Sequence, residues 1–162
     1  MRKVIVNSTP LIALCNIGKL DILKKLYGEI IIPLAVYNEI SAKGDSICKK
    51  EVDASLEWIQ IGQIKNNLAK LMYKTQLHDG EVEVMILAQE ENADLVIIDD
   101  KNAKKHAKYL KLNVTGTLGV LIKAKQLGFI QTLKPLLYEL SDSGIYISSE
   151  LIQLCLKQVN EQ

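Results

Sequence analysis

A single α/β domain built from parallel βαβ units is the fold this chain predicts, and three features of the sequence predict it. Short runs rich in β-branched residues alternate with stretches of helical spacing, the order that a mainly parallel central sheet requires. One run, Leu95-Val96-Ile97-Ile98, is apolar without alternation, the mark of a strand covered on both faces. The 162 residues, 48% hydrophobic and 24% charged, suffice for one core and contain no internal repeat, low-complexity tract or linker. Residues 1–162 are therefore expected to form one domain.

Val4–Val6 reads as the first strand, and Thr9 followed by Pro10 suits the N-cap and first position of a helix that Gly18 ends. A second helix runs from Leu20 to Tyr27 and closes at Gly28. Ile30–Ile32 is the next buried strand, and Pro33 opens a helix over Leu34–Ser41. Residues 42–53, polar and mixed in sign, read as a loop or frayed helix. Trp58–Ile61 alternates like a strand, and Leu68, Leu71 and Met72 lie at helical spacing within Ile64–Tyr73. His78-Asp79-Gly80 reads as a turn whose Asp79 caps an apolar helix reaching about Asn92. The strand Leu95–Ile98 ends at Asp99-Asp100, a basic helix covers Lys101–Leu110, and Leu112–Val114 is a further strand ending in Thr115-Gly116-Thr117. Three helices, near Leu118–Gln126, Leu133–Ser141 and Ser149–Val159, close the chain. The last has Leu151, Ile152, Cys155, Leu156 and Val159 on one apolar face, expected to pack on its own domain, with an oligomer contact or partner groove as the alternative.

Twenty basic residues against nineteen acidic ones leave a formal charge of +1, so any nucleic-acid affinity must come from a local patch. No run of about 18 apolar residues predicts a membrane span. The apolar run at the N-terminus is too short for a signal peptide. Cys15, Cys48 and Cys155 are odd in number and form no CxxC pair, which argues against a disulfide framework or a zinc site. Buried thiols in a reducing, cytoplasmic setting are expected. A P-loop, a GxGxxG fingerprint and a Ser-His-Asp order are all missing from the sequence.

Right-handed crossovers bring strand C-terminal ends to one edge of the sheet, where ligands of open α/β sheets bind. Asn7 ends the first strand, and Asp99 ends the strand Leu95–Ile98 with Asp100 beside it. Glu81 lies with Glu83 at the start of the helix that Asp79 opens, and it shares a row with Val84, Met85 and Ala88, which should face the sheet. Glu39 shares a row with Ala35 and Val36. Each has an ordinary explanation: a helix cap for Asp100, first-turn acids for Glu81 and Glu83, a solvated face for Glu39, a turn residue for Asn7. Their joint occurrence at strand ends is what suggests a site. Oxygen ligands without His or Cys suit Mg²⁺ or Mn²⁺, and phosphodiester hydrolysis is the natural reaction class. Lys101, Lys104 and Lys105, followed by Lys108 and Lys111, could grip a nucleic-acid backbone or simply form a solvated face.

Several of these segments together resemble one family. Val4-Ile-Val-Asn7-Ser8-Thr9-Pro10-Leu-Ile looks like the opening of a PIN domain (PilT N-terminus), in which Asp-Thr/Ser-Asn/Ser precedes an apolar helix. Pro33 to Ile40, with Glu39, resembles the helix of the second acidic residue. Gly80-Glu81-Val-Glu83 through Leu95-Val-Ile-Ile-Asp99-Asp100 matches the third and fourth acidic positions. Thr115-Gly-Thr-Leu-Gly-Val-Leu-Ile-Lys-Ala-Lys resembles the tail of an uncharacterised prokaryotic PIN-like subgroup. The resemblance covers about residues 3–140, leaving 141–162 as a C-terminal helical extension. It implies a three-layer α/β/α fold and a Mg²⁺- or Mn²⁺-dependent ribonuclease, often the toxin of a toxin–antitoxin pair and commonly dimeric. RNA and an antitoxin protein are the partners it implies. By position, Asn7, Glu39, Glu81 and Asp99 would line the metal site. Ser8 or Thr9 would assist, and Asp100 or Glu83 would be auxiliary. The first position departs from the family, since Asp is replaced by Asn7. One negative charge is lost, which lowers the expected metal affinity and raises the alternative of a weak or inactive module that binds RNA or a protein.

Overall fold

The computed structural model describes residues 2–42, 46–73 and 77–161. Its strands are short: β1 (Val4–Val6), β2 (Ile30–Pro33), β3 (Ile59–Gly62), β4 (Leu95–Ile97) and β5 (Val114–Thr115). The first helices in the chain are α1 (Ser8–Asn16), α2 (Asp21–Tyr27), α3 (Leu34–Ala42), α4 (Ile47–Asp53) and α5 (Asn67–Tyr73). They are followed by α6 (Asp79–Glu90), α7 (Lys101–Tyr109), α8 (Thr117–Gln126), α9 (Lys134–Asp142) and α10 (Ser149–Gln158). The strands form one sheet of order β3-β2-β1-β4-β5, and every pair is parallel. From β1 the chain steps outward to β2 and β3, then crosses to β4 on the other flank of β1 and continues to β5. The order therefore switches direction between β1 and β4, and a crevice opens beyond their C-terminal ends.

Helices cover both faces, giving three layers, α/β/α. On one side α6 packs on β1 and β2 with α3 and α5 against it. Every residue of α6 from Gly80 to Ala88 is buried, as expected of a helix enclosed all round. On the other, α1 packs with α4 and α8, and α8 with α2 and α10. Leu11, Leu14, Ile22, Leu23, Ile32 and Met85 are among the fully buried side chains between these layers. Each such aliphatic side chain contributes on the order of 1.5–3 kcal/mol through removal from water. Cys15, Cys48 and Cys155 are buried and, among the described residues, form no disulfide. A hydrogen bond with Cys48, together with burial, pushes the Cys15 thiol well above its ordinary value, so it stays protonated and inert.

Several boundaries differ from the sequence reading. Helix α1 starts at Ser8 with Asn7 at the N-cap, not Thr9. Pro10 fits inside the first turn because the N–H it lacks has no intrahelical acceptor there. Helix α6 likewise starts at Asp79, capped by His78, so the anticipated turn is its first turn. Within residues 42–53, 47–53 are helical with Ser46 as cap, and 43–45 lie outside the described residues. Strand β5 begins two residues late because the Leu112 N–H closes onto the Ala107 carbonyl (2.9 Å) at the end of α7. Leu68, Leu71 and Met72 of α5 are exposed. The face that α5 turns inward carries half-buried Ala69 and Lys70 instead. In α10, Ile152, Cys155, Leu156 and Val159 are buried against the domain, while Leu151 is partly exposed.

Candidate active site

Asn7 stands at the topological switch point. Val6 pairs with Ile97, and the Asn7 N–H continues the ladder by donating to the Ile97 carbonyl at 3.0 Å. The residue is extended (φ −80°, ψ 169°) and occupies the N-cap of α1, yet its side chain makes no capping bond. It is only 4% exposed, and Asn7 Oδ1 is a buried acceptor without a donor. An unsatisfied buried acceptor costs about 1–3 kcal/mol, so some group is expected to relieve it.

Glu39, one turn and a half into α3, brings its carboxylate to the same place. A Cβ built on Gly80 would stand 3.1 Å from Glu39 Oε2 and 3.5 Å from Asn7 Oδ1. Gly80, in the first turn of α6, thus leaves room for two acceptor oxygens over its backbone. Glu39 has no hydrogen-bond or ion-pair partner among the described residues. Both Glu39 and Gly80 line a cleft of about 930 Å³ with Asn38, Lys70 and His78.

The other two glutamates are held by protein groups. Glu81 is 7% exposed, as its row predicted, and its Oε1 accepts the His78 N–H at 3.0 Å, so it closes the N-terminus of its own helix. Glu83 is equally buried; its Oε1 accepts from the Ala35 N–H (2.9 Å) and its Oε2 pairs with Lys70 Nζ (2.6 Å). Both Glu83 oxygens are committed to tying α3, α5 and α6 together. Lys70, which no local signal in the sequence marks, reaches this cleft because α5 docks on α6.

Asp99 lies across β1 from Glu39. Its Oδ1 accepts the Thr117 N–H at 2.7 Å and its Oδ2 the Thr117 hydroxyl at 2.6 Å. The carboxylate is therefore fixed in orientation at the start of α8, where the helix dipole also favours it. Ionised, it retains about half of its roughly four acceptor positions. A Cβ on Gly116 would stand 2.6 Å from Asp99 Oδ1 and 2.9 Å from Lys104 Nζ, so glycine is required for both to approach. Asp100 is exposed and caps α7 by accepting the Ala103 N–H at 2.8 Å. Ser8 is buried and Thr9 exposed. Thr9, Asp99, Lys101 and Lys104 line a second cleft of about 570 Å³, whereas Lys105 faces a separate groove between α5 and α7. Thr117 escaped the sequence reading, although its place beside Asp99 follows once Ile97 is paired with Thr115.

Among the described residues, no three His, Cys, Asp or Glu side chains gather closely enough to hold a metal ion. What the structure does bring together is Asn7 Oδ1 and Glu39 Oε2, two oxygens without a donor. That pair fits a hard cation of the Mg²⁺ type, which keeps several waters and takes one or two carboxylates from the protein.

A family model described as a PIN domain matches residues 3–161, nearly the whole chain. No curated protein matches it. Among the described residues, no helix is long and apolar enough to cross a membrane. With this match resting on a five-stranded parallel sheet between two helical layers, the chain belongs to the PIN-domain family.

Proposed function

We propose that this PIN domain is a divalent-metal-dependent ribonuclease that hydrolyses RNA phosphodiester bonds at the sheet edge beside Asn7. The observation that carries the proposal is the buried, donor-free Asn7 Oδ1 facing the same space as the unpaired Glu39 carboxylate. Asn7 and Glu39 would hold Mg²⁺ or Mn²⁺. Bound there, the ion would supply Lewis-acid stabilisation of charge on the phosphate under attack. Asp99, held by Thr117, faces the crevice from the β4 side with acceptor capacity left for a water or a proton. Lys101 and Lys104 place positive charge along the cleft next to it, where a phosphate backbone would be drawn. Glu81 and Glu83 keep the α6 end of the site rigid.

A second reading has its own support. Glu81 and Glu83 are occupied by protein donors, and among the described residues no three acidic side chains converge. A module of this kind would bind RNA without cleaving it. Calorimetric titration with Mn²⁺ and a cleavage assay on single-stranded RNA separate the two. The ribonuclease reading expects metal uptake, cleavage that EDTA abolishes, and loss of cleavage in Asp99→Asn. A wild-type protein that neither takes up Mn²⁺ at millimolar concentration nor cuts RNA would leave only the binding module.

A further inference from the structure

The 570 Å³ cleft beyond Asp99 is lined by two chemically different sets of residues. One set is polar and basic, with Thr9, Lys101 and Lys104; the other is Ile145, Tyr146 and Ile147, from the segment between α9 and α10. Tyr146 is 89% exposed although it lines the cleft, so its ring is open to solvent. A phosphate alone needs no apolar wall. A nucleotide uses both sets, one for its phosphate and one for its base, and the volume lies within the usual range for a small-molecule site.

We propose that this cleft is a subsite for one nucleotide of single-stranded RNA next to the scissile bond, with Tyr146 as the stacking platform for its base. The inference rests on the ribonuclease reading and adds the strand's course across the domain. Glu39 and Gly80 lie on the β2 side of Asn7, and Asp99, Lys104 and Tyr146 lie on the β4–β5 side. A strand whose reacting phosphate sits over Asn7 must leave along one of these two clefts. The one lined by two lysines and an open aromatic ring offers the groups that a nucleotide's phosphate and base require. Single-stranded nucleic acids are bound in this way, by a basic track with aromatic side chains beneath the bases. A duplex keeps its bases stacked inward and has none to offer the ring.

The test is binding of a fluorescein-labelled RNA heptamer, read by anisotropy in EDTA so that no cleavage occurs. Tyr146→Ala should weaken binding roughly tenfold, in the range found for loss of one stacked base. Tyr146→Phe, which keeps the ring, should bind as the wild type does. Tyr146 is so exposed that neither variant should unfold, and circular dichroism checks this. Wild-type affinity in Tyr146→Ala, or an equal loss in Tyr146→Phe, would overturn the subsite while leaving the ribonuclease reading intact if the wild type still cuts RNA. A wild type that does not bind the heptamer at all would overturn the subsite, whereas the ribonuclease reading stands or falls on cleavage with Mn²⁺.

Discussion

Asn7→Asp puts the acceptor-pair argument to its most direct test. The substitution places a negative charge on a buried atom that has no donor, facing Glu39 across the space above Gly80. Two unit charges at about 6 Å, near the widest separation open to atoms 3.1 and 3.5 Å from one point, repel by about 3 kcal/mol at an effective dielectric near 20. Glu39 is exposed, and screening by solvent brings the expected cost down to about 1 kcal/mol. For a chain of this length, that lowers the unfolding midpoint by about 2–4 °C in EDTA. Divalent metal should reverse the order, because the ion relieves the repulsion and gains a second anionic ligand. At a concentration about 100 times its dissociation constant, a bound ion adds about 2.7 kcal/mol. The variant should therefore reach this gain at lower Mn²⁺ than the wild type. Thermal unfolding at neutral pH, with EDTA and across a Mn²⁺ series, measures both effects. If the metal-free variant is as stable as the wild type, or if Mn²⁺ shifts the two midpoints equally, Asn7 and Glu39 do not share a cation site.

Two further outcomes follow from other contacts. Thr117→Val removes the hydroxyl that donates to Asp99 Oδ2 and should cost about 1–3 kcal/mol, typical of a hydrogen bond to a charged group. RNA cleavage should fall with it while RNA binding holds, and unchanged cleavage would show that Asp99 needs no such orientation. Glu161 carries a pH dependence. Burial pushes its pKa up, but the Leu133 and Lys134 N–H groups and Lys125 outweigh this and leave it depressed. A depressed carboxylate stabilises the fold above its unfolded pKa and loses that contribution as pH falls through its lower folded value. The tie between the C-terminal tail and the start of α9 should thus weaken in acid, seen as faster amide exchange in α10. Glu161→Gln should flatten that dependence, and an unaltered profile would exclude Glu161 as its source.

The sheet was legible in the sequence because strand burial imposes a pattern that needs no knowledge of partners. Ile30–Ile32 and Leu95–Ile97 are apolar at every position because helices cover both faces. Helix ends were less legible. His78 is not among the side chains that usually cap, so nothing local marked α6 as starting at Asp79. Helix α5 shows the limit of periodicity. Leu68, Leu71 and Met72 share a face, as their spacing indicated, but periodicity says nothing of which way that face turns. The face that does turn inward carries Lys70, whose ion pair with Glu83 joins residues from two helices and leaves no mark in either helix's own sequence.

The same distinction governs the site. Which residues reach the sheet edge is a matter of backbone topology, and Asn7, Glu39 and Asp99 could be placed there from strand order. Whether a carboxylate at that edge is free for a ligand depends on the nearest donor. Glu81, three residues after His78, closes back on its own helix; Glu83 meets Lys70; Asp99 meets Thr117. Among the described residues, Glu39 alone of these acids finds no donor, and it faces Asn7 Oδ1, a buried oxygen that also lacks one. On the proposed reading, asparagine at position 7 lets this edge close without a cation, because a neutral amide beside Glu39 costs one unmet acceptor rather than a buried charge next to a second carboxylate. That reading trades metal affinity for stability in the metal-free state, and it expects RNA cleavage by the wild type to need a higher divalent-ion concentration than cleavage by the Asn7→Asp variant.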